Sequence, residues 1–456
     1  MLRIVKNNDA GEFLTIKPEP AAWTGMITAR WEVSKRNPEA LRVRDKLGLP
    51  TDRPVVMSGH QAVVWHPGIL AKLGAASSAA ARVAGTAAWI TVDQDAGDPG
   101  VMFVPSAAPE RLSLRIAPAP DGEVPTGAQP PMRPGVDSAA ALSACDPAVA
   151  TRASRILATL ADHAGAPSAA AQMQASLSDL ASPLGLSPGW ILASSLSVSG
   201  SFAELVEEIF ADAAACVRCY NEAARGDSGA RVNPLAAEGR IEVPLWRIAP
   251  GSARRRVYAD ERGSIDASAL APRALTMMLL LRRFACDLFI HGTGGDAYDR
   301  VTESWIGAWR PGWRLAPTSM VTATRYLPFD RLGPVPTPGE IGGARWLAHA
   351  ARHNPSLLGD AAAANTKSQF IARIAQARAH GADHRAFYRD MHEFLSVVRS
   401  RNAPALAAID EKAAAMLAQR DRAAVVFDRT WPFPLYPESD LRALLDEIDQ
   451  AFPSAR

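Results

Sequence analysis

The residues best suited to chemistry fall in three short stretches of the chain. The first is "SGHQAVVWHPG", residues 58–68, which holds His60 and His66 among only nine histidines. A neutral imidazole can take a proton, and a protonated one can hold phosphate or carboxylate. Gly59, Gln61 and Gly68 frame these histidines, and Lys72 follows one turn into a helix-like run. The second stretch is "VDQDAGD", with Asp93, Asp95 and Asp98. Three carboxylates could bind a divalent cation, bind a substrate amine or hydroxyl, or serve as acid/base groups. The amine or hydroxyl reading is preferred to metal, and no metal ligand is assigned. A solvated acidic turn would carry the same residues. The third is "IHGTGGDAYDRVTE", where His291 leads into Gly292, Thr293, Gly294 and Gly295 with Tyr298 shortly after. Glycines let backbone approach a ligand, and successive N–H groups can cradle an anion. The turn is neither GxGxxG nor a Walker A loop, because no Lys-Ser/Thr follows Gly295. Asp296 and Asp299 favour a helix dipole whatever the function.

Elements must place these stretches. A buried strand at 53–57 precedes the first, and a helix starting near Gly68 follows it, with Pro67 where a first-turn proline is tolerated. "TAAWITVDQD" supplies a second strand, so the segment predicts a βαβ unit with parallel strands. In such α/β sheets ligands bind beyond the carboxyl ends of the strands. His60, His66 and the acidic run are therefore expected at one crevice, beside a helix N-terminus that offers N–H groups to an anion. "CDLFIHG" reads as another buried strand running into the glycine turn and a helix.

The remaining chain reads as an N-terminal extension over 1–50 that ends in a helix near 38–47, a Pro/Gly-rich linker at 118–137, helices at 138–165, 168–181, 201–225 and 272–283, and strands at 240–248 and 254–259. Residues 338–422 are almost all helix-forming. "GADH" at 381–384 turns one helix back on another, and Phe387, Met391, Phe394, Leu395 and Val398 give the second arm an apolar seam. A Pro/aromatic segment and a helix with Ser439 as N-cap close the chain. The expected division is 1–117, first part of the core; 118–240, a mostly helical insert; 241–337, second part with the glycine-rich loop; 338–425, a helical hairpin or coiled coil; and 426–456, the closing segment. No repeat of 20–50 residues is visible.

Composition narrows the function. The 456 residues are 48% hydrophobic and carry a formal charge of +2 with both signs interspersed, which argues against nucleic-acid or polybasic membrane binding. The run "ALTMMLLL" is closed by Arg282 and Arg283 and is too short to span a bilayer, and the first residues show no apolar signal core. Four cysteines do not make a disulfide framework, and Cys216 and Cys219 form a lone CxxC on an amphipathic helix, read as packing. A cytoplasmic protein acting on small molecules is expected. Neither a GxSxG elbow nor an HExxH motif is present.

"VVMSGHQAVVWHPGILAKLGAASSAA…AAWITVDQDAGD" and "LAPRALTMMLLLRRFACDLFIHGTGGDAYDRVTE" together resemble the bacillithiol-biosynthesis cysteine-adding enzymes, the BshC family of cysteine ligases. The likeness is specific over 50–100 and 265–305. It implies a Rossmann-like, nucleotidyltransferase-like parallel-sheet core with inserted segments, and the family's helical coiled coil beside it. Residue by residue it implies that Gly59, Gln61, Gly68 and Lys72 belong to the first loop and helix, Asp93 to Asp98 to the acidic cluster, and Gly292, Gly294, Gly295 and Tyr298 to the second loop. The chain departs from the family pattern at His60, at Trp65-His66-Pro67 and at His291. The implied activity is amino-acid (cysteine) ligation to the amine of a small sugar-like acceptor. Asp93 or Asp95 would receive or orient the amine, and His60, His66 or His291 would act as acid/base. Amide formation needs an activated carboxyl; ATP or ADP with Mg²⁺ is the cofactor that step would call for, although no ATP-binding motif marks it. A nucleotidyltransferase-like enzyme and a non-catalytic small-ligand-binding protein are the alternatives. The hairpin offers a surface for a homodimer.

Overall fold

A computed structural model describes residues 3–6, 12–120, 122–134, 138–329 and 336–453. The chain divides into two compact units, Met1–Leu327 with Arg429–Arg456, and Pro328–Asp428.

The first unit is α/β. It opens with β1 (Arg3–Lys6), β2 (Phe13–Lys17), α1 (Trp23–Ser34) and α2 (Pro38–Lys46). The predicted βαβ unit follows as β3 (Val55–Gln61), α3 (Pro67–Arg82) and β4 (Thr86–Val92). Next come β5 (Val101–Pro105), β6 (Arg111–Arg115), α4 (Ser138–Ser143), α5 (Pro147–Asp162), α6 (Ala169–Ala181) and β7 (Gly189–Leu192). Then α7 (Gly200–Ala211), α8 (Ala213–Gly226), β8 (Glu242–Arg247), β9 (Arg255–Tyr258), β10 (Leu270–Pro272) and α9 (Ala274–Leu280) lead to the second site element. That element is β11 (Leu288–His291) with α10 (Gly295–Trp309), followed by β12 (Thr318–Thr324).

The central sheet is mixed and mostly parallel, in the order β1-β2-β12-β11-β3-β4-β7. β12, β11, β3, β4 and β7 run parallel, and β2 joins β12 antiparallel. The chain steps outward from β3 through β4 to β7, then returns to the other side of β3 as β11 and continues to β12. The order therefore reverses between β3 and β11. Alternation along the buried strands feeds two cores. Val55, Met57 and Phe289 face one apolar cluster with α7, α8 and α9. Val56, Leu288 and Ile290 face another with α1 and α3. The latter includes Leu444 and Ile448 of the final helix of this unit.

The second unit holds α11 (Pro338–Ala350), α12 (Ala361–Ala379), α13 (Arg385–Arg401), α14 (Ala403–Ala418) and α15 (Arg420–Val426). α12 and α13 form the expected hairpin. Ile374, Met391 and Leu395 make its seam, with Phe370, Phe387 and Phe394 against them. The chain then returns to the first unit and ends in α16 (Glu438–Ala451).

Several expectations need correction. Residues 1–50 are no mere extension, since β2 is part of the sheet. The segment 118–240 contributes β7 to that sheet, so it is more than a helical insert. The helix expected at 138–165 is two, because Asp146 caps a new start at Pro147 through the Ala148 N–H. The one expected at 201–225 breaks at Asp212. Pro272 ends a strand, and its helix starts at Ala274. The N-cap of α16 is Pro437, and Ser439 instead bonds Asp440 within the first turn. Cys216 and Cys219 are buried free thiols, and burial pushes the Cys216 thiol well up. Among the described residues no helix is long and apolar enough to cross a membrane.

Candidate functional site

β3 does not stop at Met57. It pairs with β4 as far as Gln61, and Ser58 donates from Oγ to the Ile290 carbonyl of β11 at 2.7 Å. His60 therefore rides on the last turnless residues of a central strand and is held by sheet hydrogen bonds, not by a loop. The short connection that follows is pinned by Trp65, which is fully buried against Trp89 and Trp190. Its carbonyl accepts from the Phe433 N–H at 2.6 Å, which ties the closing Pro/aromatic segment to this connection. His66 then caps α3. Its Nδ1 accepts from the Gly68 N–H at 3.1 Å, and Pro67 occupies the first helical position. That bond leaves the proton of the neutral ring on Nε2.

Across the order reversal, β11 ends at His291 and the turn Gly292–Gly294 opens α10. Glycine is required at 295: a Cβ there would overlap the His291 ring. The His291 Nε2 lies 2.9 Å from Oδ2 of Asp299, one helical turn into α10. Asp299 is buried and bound through Oδ1 to Arg282 at 3.1 Å. Arg282, itself buried, also reaches Glu303 and donates to the Ala316 carbonyl. The sequence pattern explained Asp299 by the helix dipole alone; in the fold it faces the site histidine.

These two strand ends line one pocket of about 450 Å³. Gly59, His60, Gln61, His66, Gly68 and Lys72 contribute from the first, and His291, Gly292, Thr293, Gly294, Gly295 and Tyr298 from the second. Asp95 reaches the same pocket from the end of β4, with Oδ1 held by Arg254 at 2.9 Å. Asp93 and Asp98 do not. Asp98 turns back to the Gly100 N–H and pairs with Arg115. Asp93 is buried, accepts from the Ser194 N–H at 2.8 Å, and borders a different pocket. The three aspartates are thus one sequence cluster but three separate environments.

The electrostatics of the pocket centre on Lys72. It is almost wholly buried, its Nζ donates to the Gly59 carbonyl at 2.6 Å, and it sits 5.2 Å from the centre of the Trp89 ring. Burial lowers its pKa to about 7. His60 is half-buried; the pocket walls and then the Lys72 charge hold its imidazole far below the usual range, so it stays neutral. Arg429 adds a cation that no local signal could have announced. It comes from the segment after the second unit and donates to Thr324 Oγ1 at 3.0 Å. Thr322 of β12 and the apolar pair Met277 and Met278 complete the walls.

Two helix N-termini, those of α3 and α10, open on this pocket together with Lys72 and Arg429. Both helices exceed three turns, so each turns a positive dipole end to the pocket, although His66 already takes the Gly68 and Ile69 N–H groups of α3. The arrangement can hold an anionic group while a neutral imidazole exchanges protons beside it. Among the described residues no group of three or more His, Cys, Asp or Glu side chains converges as a metal site. No family model matches the chain, and no curated protein matches it in sequence.

Proposed function

We propose that this protein is a small-molecule enzyme with a Rossmann-like core, which binds an anionic substrate at the reversal of strand order and forms a carbon–nitrogen bond there. One observation carries this reading. The residues that resemble the cysteine-adding ligases, Gly59, Gln61, Gly68 and Lys72 with Gly292, Gly294, Gly295 and Tyr298, come from strand ends over 200 positions apart and line the same pocket. Ligand sites in open α/β sheets fall at such reversals.

In this reading Lys72, Arg429 and the α3 and α10 N-termini hold a carboxylate or phosphate oxygen. His291, whose Nε2 faces the Asp299 carboxylate, takes the proton that the attacking amine loses as the C–N bond forms. Neutral His60 accepts a hydrogen bond from the incoming amine, and Lys72 and Arg429 receive the activating phosphate, which departs as an anion with no proton donor required. Asp95, already fixed by Arg254, orients the acceptor. The substrate pair follows the family likeness: an amino acid, cysteine first, and the amine of a sugar-like acceptor. A nucleoside triphosphate with Mg²⁺ would supply carboxyl activation, and the Gly292–Gly294 turn, where a Cβ meets nothing closer than 3.9 Å, leaves room for phosphate.

A thermal-shift panel of cysteine, glucosaminyl-malate, ATP with Mg²⁺ and CTP with Mg²⁺ tests this. Stabilisation by the amino acid and the sugar amine, lost in His291→Ala, supports ligation. Stabilisation by a nucleoside triphosphate alone moves the protein to the nucleotidyl-transfer class. No response from any of them, with no turnover, would leave the pocket to a non-catalytic binding protein.

A further inference from the structure

The second pocket, on the other side of the β4 end, has a chemistry of its own. It measures about 540 Å³ and borders Asp93 and Gln94, while the next residue but one, Asp95, faces the first pocket. Asp93 is 3% exposed and Gln94 4%. One Asp93 oxygen accepts from the Ser194 N–H. Beside the other lies Gly127, where a Cβ would come 2.9 Å from Oδ2, so any other residue there would crowd that oxygen. The Gln94 amide nitrogen is turned to the Ala193 carbonyl and Ser197 Oγ, and its Oε1 is buried with no hydrogen-bond partner. A buried acceptor without a donor is uncommon in a folded chain and is unfavourable until a ligand supplies one. Among the described residues lining this pocket there is no Lys, Arg or His. The walls combine the apolar Pro125, Pro130, Ile248 and Leu270 with the uncharged polar Gln129, Ser194, Ser197 and Ser268.

We propose that this second pocket binds a primary amine carried on a compact apolar body, with the ammonium held by Asp93 and Gln94. A buried Gln94 oxygen without a donor calls for one, and a buried carboxylate with no cation among the described lining residues calls for a cationic one. Burial pushes the Asp93 carboxyl above its usual range, and a bound ammonium would bring it back. The site stands apart from the reaction in the first pocket, and its test uses no turnover.

Ligand-observed NMR with benzylamine, benzyl alcohol and benzoate on the full chain decides it. Benzylamine should bind saturably, at least tenfold more tightly than benzyl alcohol, and benzoate should not bind. Asp93→Asn should weaken benzylamine at least tenfold. Should that variant misfold, Ser268→Trp serves instead: Ser268 is exposed at the rim, and the indole should block the pocket without touching the core. His291→Ala should leave benzylamine binding unchanged, which separates this site from the first. Equal binding of amine, alcohol and carboxylate, or full benzylamine binding by both Asp93→Asn and Ser268→Trp, overturns the proposal.

Discussion

The two ends of the parallel strands each bury a cation, and they treat it in opposite ways. At the amino ends, Arg44 is fully buried and bonds Asp287 Oδ1 at 2.9 Å, while Asp287 Oδ2 takes the Val55 N–H. That carboxylate ties the starts of β3 and β11 to α2. At the carboxyl ends, Lys72 is nearly as buried, yet the partner it bonds there is a neutral carbonyl. A buried charge with a carboxylate partner is architecture. A buried charge offered only a carbonyl carries an unmet electrostatic demand, and the pocket places that demand where a ligand can answer it.

The comparison breaks most visibly at Asp287. Asp287→Ala strands the Arg44 guanidinium and one strand-end amide, and should cost about 3–5 kcal/mol, read by denaturant unfolding. Lys72→Met is expected to go the other way. It removes a desolvated cation at nearly constant volume and should stabilise the fold by about 1–2 kcal/mol while abolishing anion binding. The pH dependence follows from the sign of the shift. Lys72 is depressed to about 7 from 10.5, so its charge costs the folded state most below pH 7, and that cost is relieved as pH rises from 7 toward 10.5. The stability advantage of Lys72→Met should therefore be widest below pH 7 and shrink above it. Gly295→Ala should be milder in stability, costing about 1–3 kcal/mol by overpacking, but it displaces the His291 ring and should lower turnover more than it weakens substrate binding.

The same contrast explains what could be read from the chain alone. The β3–α3–β4 unit and the glycine turn after β11 announce themselves, because a buried parallel strand, a helix start and a turn each have local signatures. The rest of the sheet does not. β12, "TSMVTAT", alternates weakly and is polar to the eye, because Thr322 turns to the pocket. β7 is four residues long, and β2 joins the sheet only through pairing with β12, some 300 positions later. Long-range pairing leaves no mark on either partner's sequence. The candidate pocket was legible where it lies on the two strand-to-helix turns. It was not legible at Arg429, which arrives after the whole helical unit, nor in the parting of Asp93 from Asp95, which a sequence cluster conceals. Asp93 follows β4 inward to Ser194, whereas Asp95 is drawn outward by Arg254.

The central claim is that the order reversal holds an anion on Lys72 and two helix ends. Pyrophosphate-induced thermal stabilisation, measured from pH 5.5 to 9 on the wild-type chain and on Lys72→Met, tests it most directly. The account predicts a clear upshift in the wild type below pH 7, fading as Lys72 loses its proton, and none in the variant at any pH. An upshift of the same size in both proteins, flat across pH 7, would contradict it.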